Sequence, residues 1–162
     1  MSIPSSRQAA LDSIIQALGY SFDGNILIGG NYVSVAQENH VAYVSGQIPR
    51  VGDTVVVTGR VGADVTLAQA RRAAQVCVVR ALLLLGQSLN GLDGISRMLR
   101  INVFVQSAPD FTQQSEVADA ASDLLHTVLG KAGQHTRSSI GVYQLPKNAA
   151  VEVDMVVSTH AP

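Results

Sequence analysis

Residues 137–158 read RSSIGVYQLPKNAAVEVDMVVS, and the prediction of the fold starts from this stretch. Apolar and polar residues alternate in each half of it, which is the pattern of strands that bury one face. Residues 145–148, Leu-Pro-Lys-Asn, separate the two halves and are typical of a turn. The stretch therefore predicts two strands, over residues 137–144 and 149–158.

These two strands, if they pair antiparallel, place four polar side chains on one face of a sheet. A register with Ser139 opposite Glu152 puts Arg137 and Asp154 on that same face. The guanidinium of Arg137 suits two-point binding of a carboxylate, and Glu152 beside it suits activating water or passing a proton. The pattern fits such an anion site. It also fits a solvent-exposed ion pair across the strands, worth about 0.2–1 kcal/mol, which is the commoner arrangement.

Two longer helices and a strand precede this stretch. Residues 66–88 predict a helix that opens on a capping-box residue, Thr66, and whose second half is apolar almost all round. Such a helix is buried on more than one side. Residues 97–106 predict a strand, and residues 110–130 predict another helix, capped by Asp110.

The first third of the chain predicts one more helix and several short strands. Residues 4–18 predict a helix with a narrow apolar stripe and with Pro4 in its first turn. Short strands are predicted at 32–35, 41–45 and 55–58. Together, the elements predict an α+β fold with two helices on one face of a mixed sheet and an extra N-terminal helix.

Composition limits the classes of protein to which this chain can belong. Its 162 residues suffice for one domain with a proper core, and 47% of them are hydrophobic while 14% are charged. So few charged residues indicate either an oligomer or a monomer whose surface is rich in Ser, Gln and Gly. A net charge of −1 and scattered basic residues argue against nucleic-acid binding.

No metal, cofactor or membrane segment is indicated by the sequence. The single cysteine, Cys77, lies in an apolar run and is expected to be a core thiol. The longest apolar run is too short to span a bilayer, and no secretory signal opens the chain, so we expect a cytoplasmic protein. The four histidines lack the spacing of metal ligands; they are His40, His126, His135 and His160.

Several segments, in order and at matching spacing, resemble the Rid family, which is also called YjgF-like or L-PSP-like. The similarity covers residues 31 to 158. The segments are Ser45-Gly46-Gln47-Ile48-Pro49, Asn102-Val103-Phe104-Val105, Pro109-Asp110-Phe111, Arg137-Ser138-Ser139, Leu145-Pro146-Lys147 and Val151-Glu152-Val153.

The resemblance implies a chorismate-mutase-like (YjgF-like) fold over residues 26–162, preceded by a helical extension over residues 1–25. It also implies a homotrimer with three clefts between subunits. By position, Arg137 matches the arginine that binds the substrate carboxylate. Glu152 matches the acidic residue that positions water and relays protons.

Four further residues match cleft positions of the family. Tyr32 matches a cleft tyrosine, and Ser45 and Gly46 match cleft-lining positions. Ser139 falls where the imine-hydrolysing members often have cysteine. The sequence departs from the best-studied members at residues 30–32, where Gly-Asn-Tyr replaces Gly-Pro-Tyr, and at residues 134–136, where Gln-His-Thr stands in place of a common Phe-Pro pair.

The residues and the resemblance are compatible with three functions. The first is an enamine/imine deaminase that hydrolyses small 2-imino acids to 2-keto acids and ammonia without a cofactor, through Arg137 and Glu152. The second is a non-catalytic trimer that binds a small carboxylate. The third is an endoribonuclease or translation inhibitor, which the acidic isoelectric point and the scattered histidines disfavour.

Overall fold

Three α-helices and seven strands form over residues 5–23, 26 and 28–160, which are the residues that this computed structural model describes. The strands are β1 (Val35–Glu38), β2 (Val41–Gln47), β3 (Arg50–Val51), β4 (Thr54–Val55), β5 (Ile95–Gln106), β6 (Thr136–Val142) and β7 (Val151–Thr159). The helices are α1 (Ser6–Leu18), α2 (Leu67–Ser88) and α3 (Gln114–Leu129).

Five of these strands form one mixed sheet in the order β1-β2-β7-β5-β6, while β3 and β4 form a two-stranded ribbon. Strand β5 pairs parallel with β6 and antiparallel with β7. The predicted direct pairing of the last two strands is therefore wrong, because β5 lies between them. Alternation along a strand identifies its buried face but does not identify its neighbour.

The hydrophobic core lies between one face of this sheet and the helices. On β7 the buried side chains are those of Val151, Val153, Met155 and Val157. Helix α2 packs against β2 and β7 on one side and against α3 on another, so its second half is buried almost all round. The predicted α+β fold, with helices on one face of a mixed sheet, is confirmed.

Local sequence sets the start of α2 as predicted but not the start of α3. The hydroxyl of Thr66 accepts a hydrogen bond from the Gln69 amide at 3.2 Å, and the Thr66 amide donates to Gln69 Oε1 at 2.9 Å. Helix α3 begins at Gln114, so the predicted cap at Asp110 is wrong. Asp110 lies instead in a turn closed by the bond from the Phe111 amide to the Ala108 carbonyl.

Among the described residues, no helix is long and apolar enough to cross a membrane.

The predicted N-terminal helix is present as α1. Ser5 caps it by accepting from the Gln8 amide, and Gly19 ends it in the left-handed conformation at φ +70°. Pro4, which the sequence places in the first turn, lies outside the described residues. Leu11 and Leu18 form the buried side of the helix, which packs against α2 and α3.

An arginine fastens this helix to the rest of the chain. Arg7 donates from one nitrogen to the carbonyls of Leu92 and Ile95, at 3.0 and 2.7 Å. The extension thus contacts the helix layer and the turn before β5. A helical extension could pack on the outer side of the fold or border the cleft, and these contacts favour the outer side.

Two of the short strands differ from their predicted bounds. Strand β1 starts at Val35, so residues 32–34 precede it as irregular chain. The strand predicted at 55–58 is limited to Thr54–Val55. The following residues instead run beside the chain before β7, where the Ala150 amide donates to the Val57 carbonyl and Thr58 forms a bridge with Ala149.

Candidate functional site

A cavity of about 350 Å³ opens where strand β2 parts from β7. The cavity is lined by three of the residues that the sequence assigns to the site, namely Tyr32, Gly46 and Glu152. It is lined as well by three cationic side chains that no sequence motif indicated, those of Arg50, Arg80 and Lys147. The structure therefore brings half of the predicted site together and adds a charged wall to it.

An irregularity in β2 shapes this opening. The register between β2 and β7 shifts between Val44 and Gln47, so the intervening residues leave the regular ladder. Gln47 turns inward, and its amide nitrogen donates to the carbonyl and the hydroxyl of Ser45 at 3.0 and 3.3 Å. Ser45 is thus held by a buried side chain, next to Gly46 in the chain, but it does not line the cavity itself.

Gly46 lies directly against the side chain of Glu152. A methyl group at position 46 would overlap the Glu152 carboxylate, so the absence of a side chain lets that carboxylate lie over the strand. The contact explains why a glycine follows Ser45 in a strand interior, where glycine otherwise weakens pairing. It fixes where the acidic group of the cavity lies.

The environment of Glu152 favours its protonated form. Burial raises the pKa of the Glu152 carboxyl above its ordinary value, and the neighbouring charge of Asp154 raises it further. The pKa of Asp154 is also raised by burial, although Asn102 donates a hydrogen bond to it at 2.8 Å. A carboxyl group whose pKa is moved toward neutrality is suited to exchanging protons with a bound molecule.

Arg137 lies on the other face of the sheet. Its register partner on β5 is Ile101, whose own partner on β7 is Met155, and both are buried on the helix side. Ser139 is in register with Val103 in the same way and shares that face. The prediction that Arg137 and Ser139 share a face with Glu152 and Asp154 is therefore wrong within one chain, because the register through β5 aligns Arg137 with Met155 and not with Glu152.

Helix α3 holds the Arg137 side chain in place. One terminal nitrogen donates to Asp119 Oδ1 at 2.9 Å and to the Ser122 hydroxyl at 3.0 Å, and the other donates to the Ser115 hydroxyl at 2.9 Å. Bonds to three residues of one helix fix the plane of the guanidinium. The group lies at the edge of the sheet, since β6 is the last strand.

His135 extends this network and was not predicted to take part in the site. Its Nε2 lies 2.9 Å from the Ser122 hydroxyl, and its Nδ1 lies 2.5 Å from the Gly133 carbonyl. A carbonyl only accepts, so Nδ1 carries the proton and Nε2 accepts from Ser122. Burial lowers the pKa of His135, which favours this neutral form. The sequence departs from the family pattern at residues 134–136, just before Arg137. This departure, which includes His135, is the feature of the sequence that could have indicated the supporting histidine.

Comparison with known proteins places these features in a family. The sequence profile named endoribonuclease L-PSP matches residues 25–159, which is most of the chain. This chain belongs to the endoribonuclease L-PSP (YjgF-like) family. The resemblance found in the sequence motifs is thereby confirmed.

Members of the family resemble this chain at different levels. Protein TCP17 of Trypanosoma cruzi is 39% identical over 97% of this chain and 98% of its own length. The protein Atu1372 of Agrobacterium tumefaciens, whose function is unknown, is 37% identical in sequence. Its crystal structure matches this chain with a TM-score of 0.85, and the match covers 96% of this chain and 95% of that one. The YjgF gene product of E. coli shares the fold at 23% identity and a TM-score of 0.56, covering 87% and 97%.

In this member of the YjgF-like family, the residues predicted for the site thus lie in two separate places. The first is the cavity with Tyr32, Gly46 and Glu152, and the second is the β6 edge with Arg137 and Ser139. Within the described ranges, no group of three His, Cys, Asp or Glu residues could hold a metal ion. The chemistry that these groups can supply is binding of an anion and transfer of a proton.

Proposed function

We propose that the chain is an imine deaminase that hydrolyses small 2-imino acids to 2-keto acids and ammonia in the cytoplasm. The observation that carries this proposal is the half-buried Glu152 carboxyl, with its raised pKa, in a cavity of suitable size. The family resemblance assigns this position to the group that handles water and protons. Arg137, at the β6 edge, is the proposed ligand of the substrate carboxylate.

The reaction needs one acid–base group and no electron carrier. The Glu152 carboxylate takes a proton from water while the water oxygen attacks the imine carbon, whose bonding electrons move to nitrogen. Glu152 returns this proton to the nitrogen, which gives a neutral carbinolamine. The carbinolamine hydroxyl then gives its proton, through Glu152, to the nitrogen as the C–N bond breaks, so that ammonia leaves and the ketone forms. Imines are already electrophilic, so a positioned carboxyl suffices.

The proposed assembly is a homotrimer whose clefts join the two parts of the site from neighbouring subunits. Support comes from the placement of Arg137 and Glu152 on opposite faces of the sheet in one chain. Further support comes from the sheet face opposite the helices, where Tyr43 is 53% and Ile140 is 49% exposed. Exposed apolar side chains on an uncovered sheet face are typical of a subunit interface.

A binding trimer without turnover is the second candidate. It is favoured by the commitment of Arg137 to Asp119, Ser115 and Ser122, and by Ser139 at a position where imine-hydrolysing members often have cysteine. An endoribonuclease role has less support, because the chain has a net charge of −1 and its basic residues are scattered.

The deciding experiment measures 2-keto acid release from imines generated in place by an amino-acid oxidase. We expect the native protein to accelerate release and Arg137→Ala to lose at least about 100-fold in kcat/KM, because the carboxylate anchor is gone. Arg137→Lys, which keeps the charge but not the two-point geometry, should retain intermediate activity. Full activity in Arg137→Ala would rule out the proposed anchor.

Absence of turnover by the native protein would favour the binding trimer instead. Binding of 2-oxobutanoate, measured by calorimetry, would then be retained in Glu152→Gln and lost in Arg137→Ala. Cleavage of RNA by the same purified native preparation, lost in Glu152→Gln, would favour the third candidate.

A further inference from the structure

The charges around the cavity are unequal. Among its described lining residues are three cationic side chains, Arg50, Arg80 and Lys147, and one carboxyl, Glu152. One carboxyl cannot balance three cationic side chains, so a cavity lined in this way attracts anions.

Arg80 is built into the wall of this cavity. It lies on α2, is 4% exposed, and donates from Nε to Gln47 Oε1 at 3.3 Å and from a terminal nitrogen to the Arg50 carbonyl at 2.8 Å. Arginine is rarely buried to this extent, because removing a guanidinium from water is costly. These bonds fix its orientation, and burial together with the charge of Arg50 lowers its pKa.

Arg50 adds a second fixed guanidinium. Its Nε donates to the Gly52 carbonyl at 3.0 Å, and a terminal nitrogen lies 3.4 Å from Asp53 Oδ1. The Asp53 side chain is 89% exposed, so solvent screens its charge and it offsets Arg50 only weakly. Two guanidinium groups that repel each other across a cavity are stabilised by an anion bound between them.

We propose that Arg50, Arg80 and Lys147 form a subsite for a second anionic group of the substrate, at the end remote from its imino acid group. The substrate class is then 2-imino acids that carry a second carboxylate, formed by oxidation of acidic amino acids. This assignment of the substrate class rests on the proposed deaminase function, whereas the anion subsite itself does not.

The arrangement leaves one role for each charged group. Arg137 of a neighbouring subunit binds the carboxylate next to the imine, Glu152 acts at the imine carbon, and the cationic wall binds the far carboxylate. The cavity volume of about 350 Å³ is at the lower end of the range for small-ligand sites, which suits a molecule with a short carbon chain.

The test uses 2-oxoglutarate and 2-oxobutanoate as stable analogues with two and one carboxylates. We expect calorimetry on the native protein to give at least about tenfold tighter binding of 2-oxoglutarate, which corresponds to about 1.4 kcal/mol. Lys147→Gln and Arg50→Gln should each weaken binding of 2-oxoglutarate by about tenfold and leave that of 2-oxobutanoate unchanged. Lys131→Gln, which removes a charge from the turn after α3, is the matched control and should change neither.

Arg80→Gln is the strongest test of the wall but removes a buried side chain. Binding by this variant is therefore compared only after circular dichroism and thermal unfolding show a native fold. If Arg80→Gln does not fold, the result for Lys147→Gln, at an exposed position, decides whether the subsite exists. Equal affinity for the two analogues in the native protein would overturn the proposal. If Lys147→Gln and Arg50→Gln weakened the binding of both analogues equally, the proposal would be overturned too. The cationic side chains would then bind the carboxylate that both analogues share.

The binding measurement and the turnover measurement separate the two proposals. Selective, Lys147-dependent binding of 2-oxoglutarate without hydrolysis of any imine would support the subsite and contradict the deaminase. Hydrolysis of imines from alanine and glutamate with equal kcat/KM, unaffected by Lys147→Gln, would support the deaminase and contradict the subsite.

Discussion

Glu152 and Gly46 act as a pair, since the missing side chain of one provides the space for the carboxylate of the other. Substituting Gly46 by alanine should move the Glu152 carboxylate while leaving the backbone unstrained, because the far end of a flexible side chain can shift. We expect kcat/KM for imine hydrolysis to fall by about 100-fold, since small displacements of a reacting group are costly. The free energy of unfolding should change by no more than about 1 kcal/mol.

Gly29→Ala is the control for this substitution. Gly29 lines the same cavity, but a methyl group there would meet nothing within 4 Å. Its activity and stability should both stay close to native. Equal losses of activity in both variants would show that the cavity wall as a whole, and not the position of Glu152, controls the reaction.

The raised pKa of Glu152 has opposite consequences for activity and stability. Because the folded protein binds this proton more tightly than the unfolded chain, ionisation of Glu152 lowers the free energy of unfolding as pH rises from about 4.5 through the folded pKa. Glu152→Gln should therefore be more stable than native at neutral pH, and the difference should shrink as pH falls toward 4.5. Chemical denaturation across this range measures it.

The pH dependence of activity should report the ionisation of Glu152 as well, with the ionised form now the favourable one. If Glu152 is the base that takes the proton from water, kcat/KM falls on the acidic side with an apparent pKa above 4.5, because only the ionised form is active. Glu38→Gln, at an exposed position on β1, should leave the profile unchanged. An acidic limb that persists in Asp154→Asn but moves to lower pH would assign it to Glu152, because the charge of Asp154 raises the pKa of Glu152. Loss of the limb in Asp154→Asn would assign it to Asp154.

At the scale of the element, α1 is a stabilising cover for the helix layer. Leu11 is completely buried against the core, so Leu11→Ala should lower the free energy of unfolding by about 2–5 kcal/mol. The exposed Gln16→Ala on the same helix should change it by less than about 0.5 kcal/mol. Thermal and chemical unfolding give both values, and KM should stay native in both variants. A changed KM in Leu11→Ala would instead place α1 at the cleft.

The sequence predicts elements much better than it predicts their neighbours. The capping box of α2 and the alternation in β7 are local signals, and both are seen in the structure. The start of α3 was misplaced, because Asp110 has the composition of a cap but takes part in a turn. The buried positions of β7 follow from alternation, but β6 has no fully buried residue and its Ile140 is exposed. The environment of β6, like the insertion of β5 between the two strands, depends on contacts distant in sequence.

At the scale of the whole molecule, the uncovered sheet face is the proposed interface. Ile140 lies on that face beside Phe104, so Ile140→Glu should place a charge in the interface and dissociate the trimer into monomers. Ala17→Glu, on the exposed side of α1, should leave the assembly intact. Size-exclusion chromatography with light scattering distinguishes the two states. Trimers of unchanged mass in Ile140→Glu would contradict this interface.

Complementation tests whether each cleft takes residues from two subunits. Arg137→Ala and Glu152→Gln are each expected to be inactive alone. When equal amounts are unfolded and refolded together, about one quarter of the clefts in random cyclic trimers should combine an intact Arg137 with an intact Glu152. Recovery of about that share of native activity is the expected result. No recovery, when mass spectrometry shows that mixed trimers form, would place both residues in the cleft of one subunit.

The amino-acid sequence by itself determined the α+β class, most of the helices and strands, and membership of the YjgF-like family. These follow from periodicity, caps and short motifs, which are set within a few residues of chain. Only the tertiary structure decided that Arg137 and Glu152 lie on opposite faces, that His135 supports Arg137, and that Arg80 lies in the wall of the cavity. The reason is that each of these depends on which elements pack together, and packing joins residues that no local pattern connects.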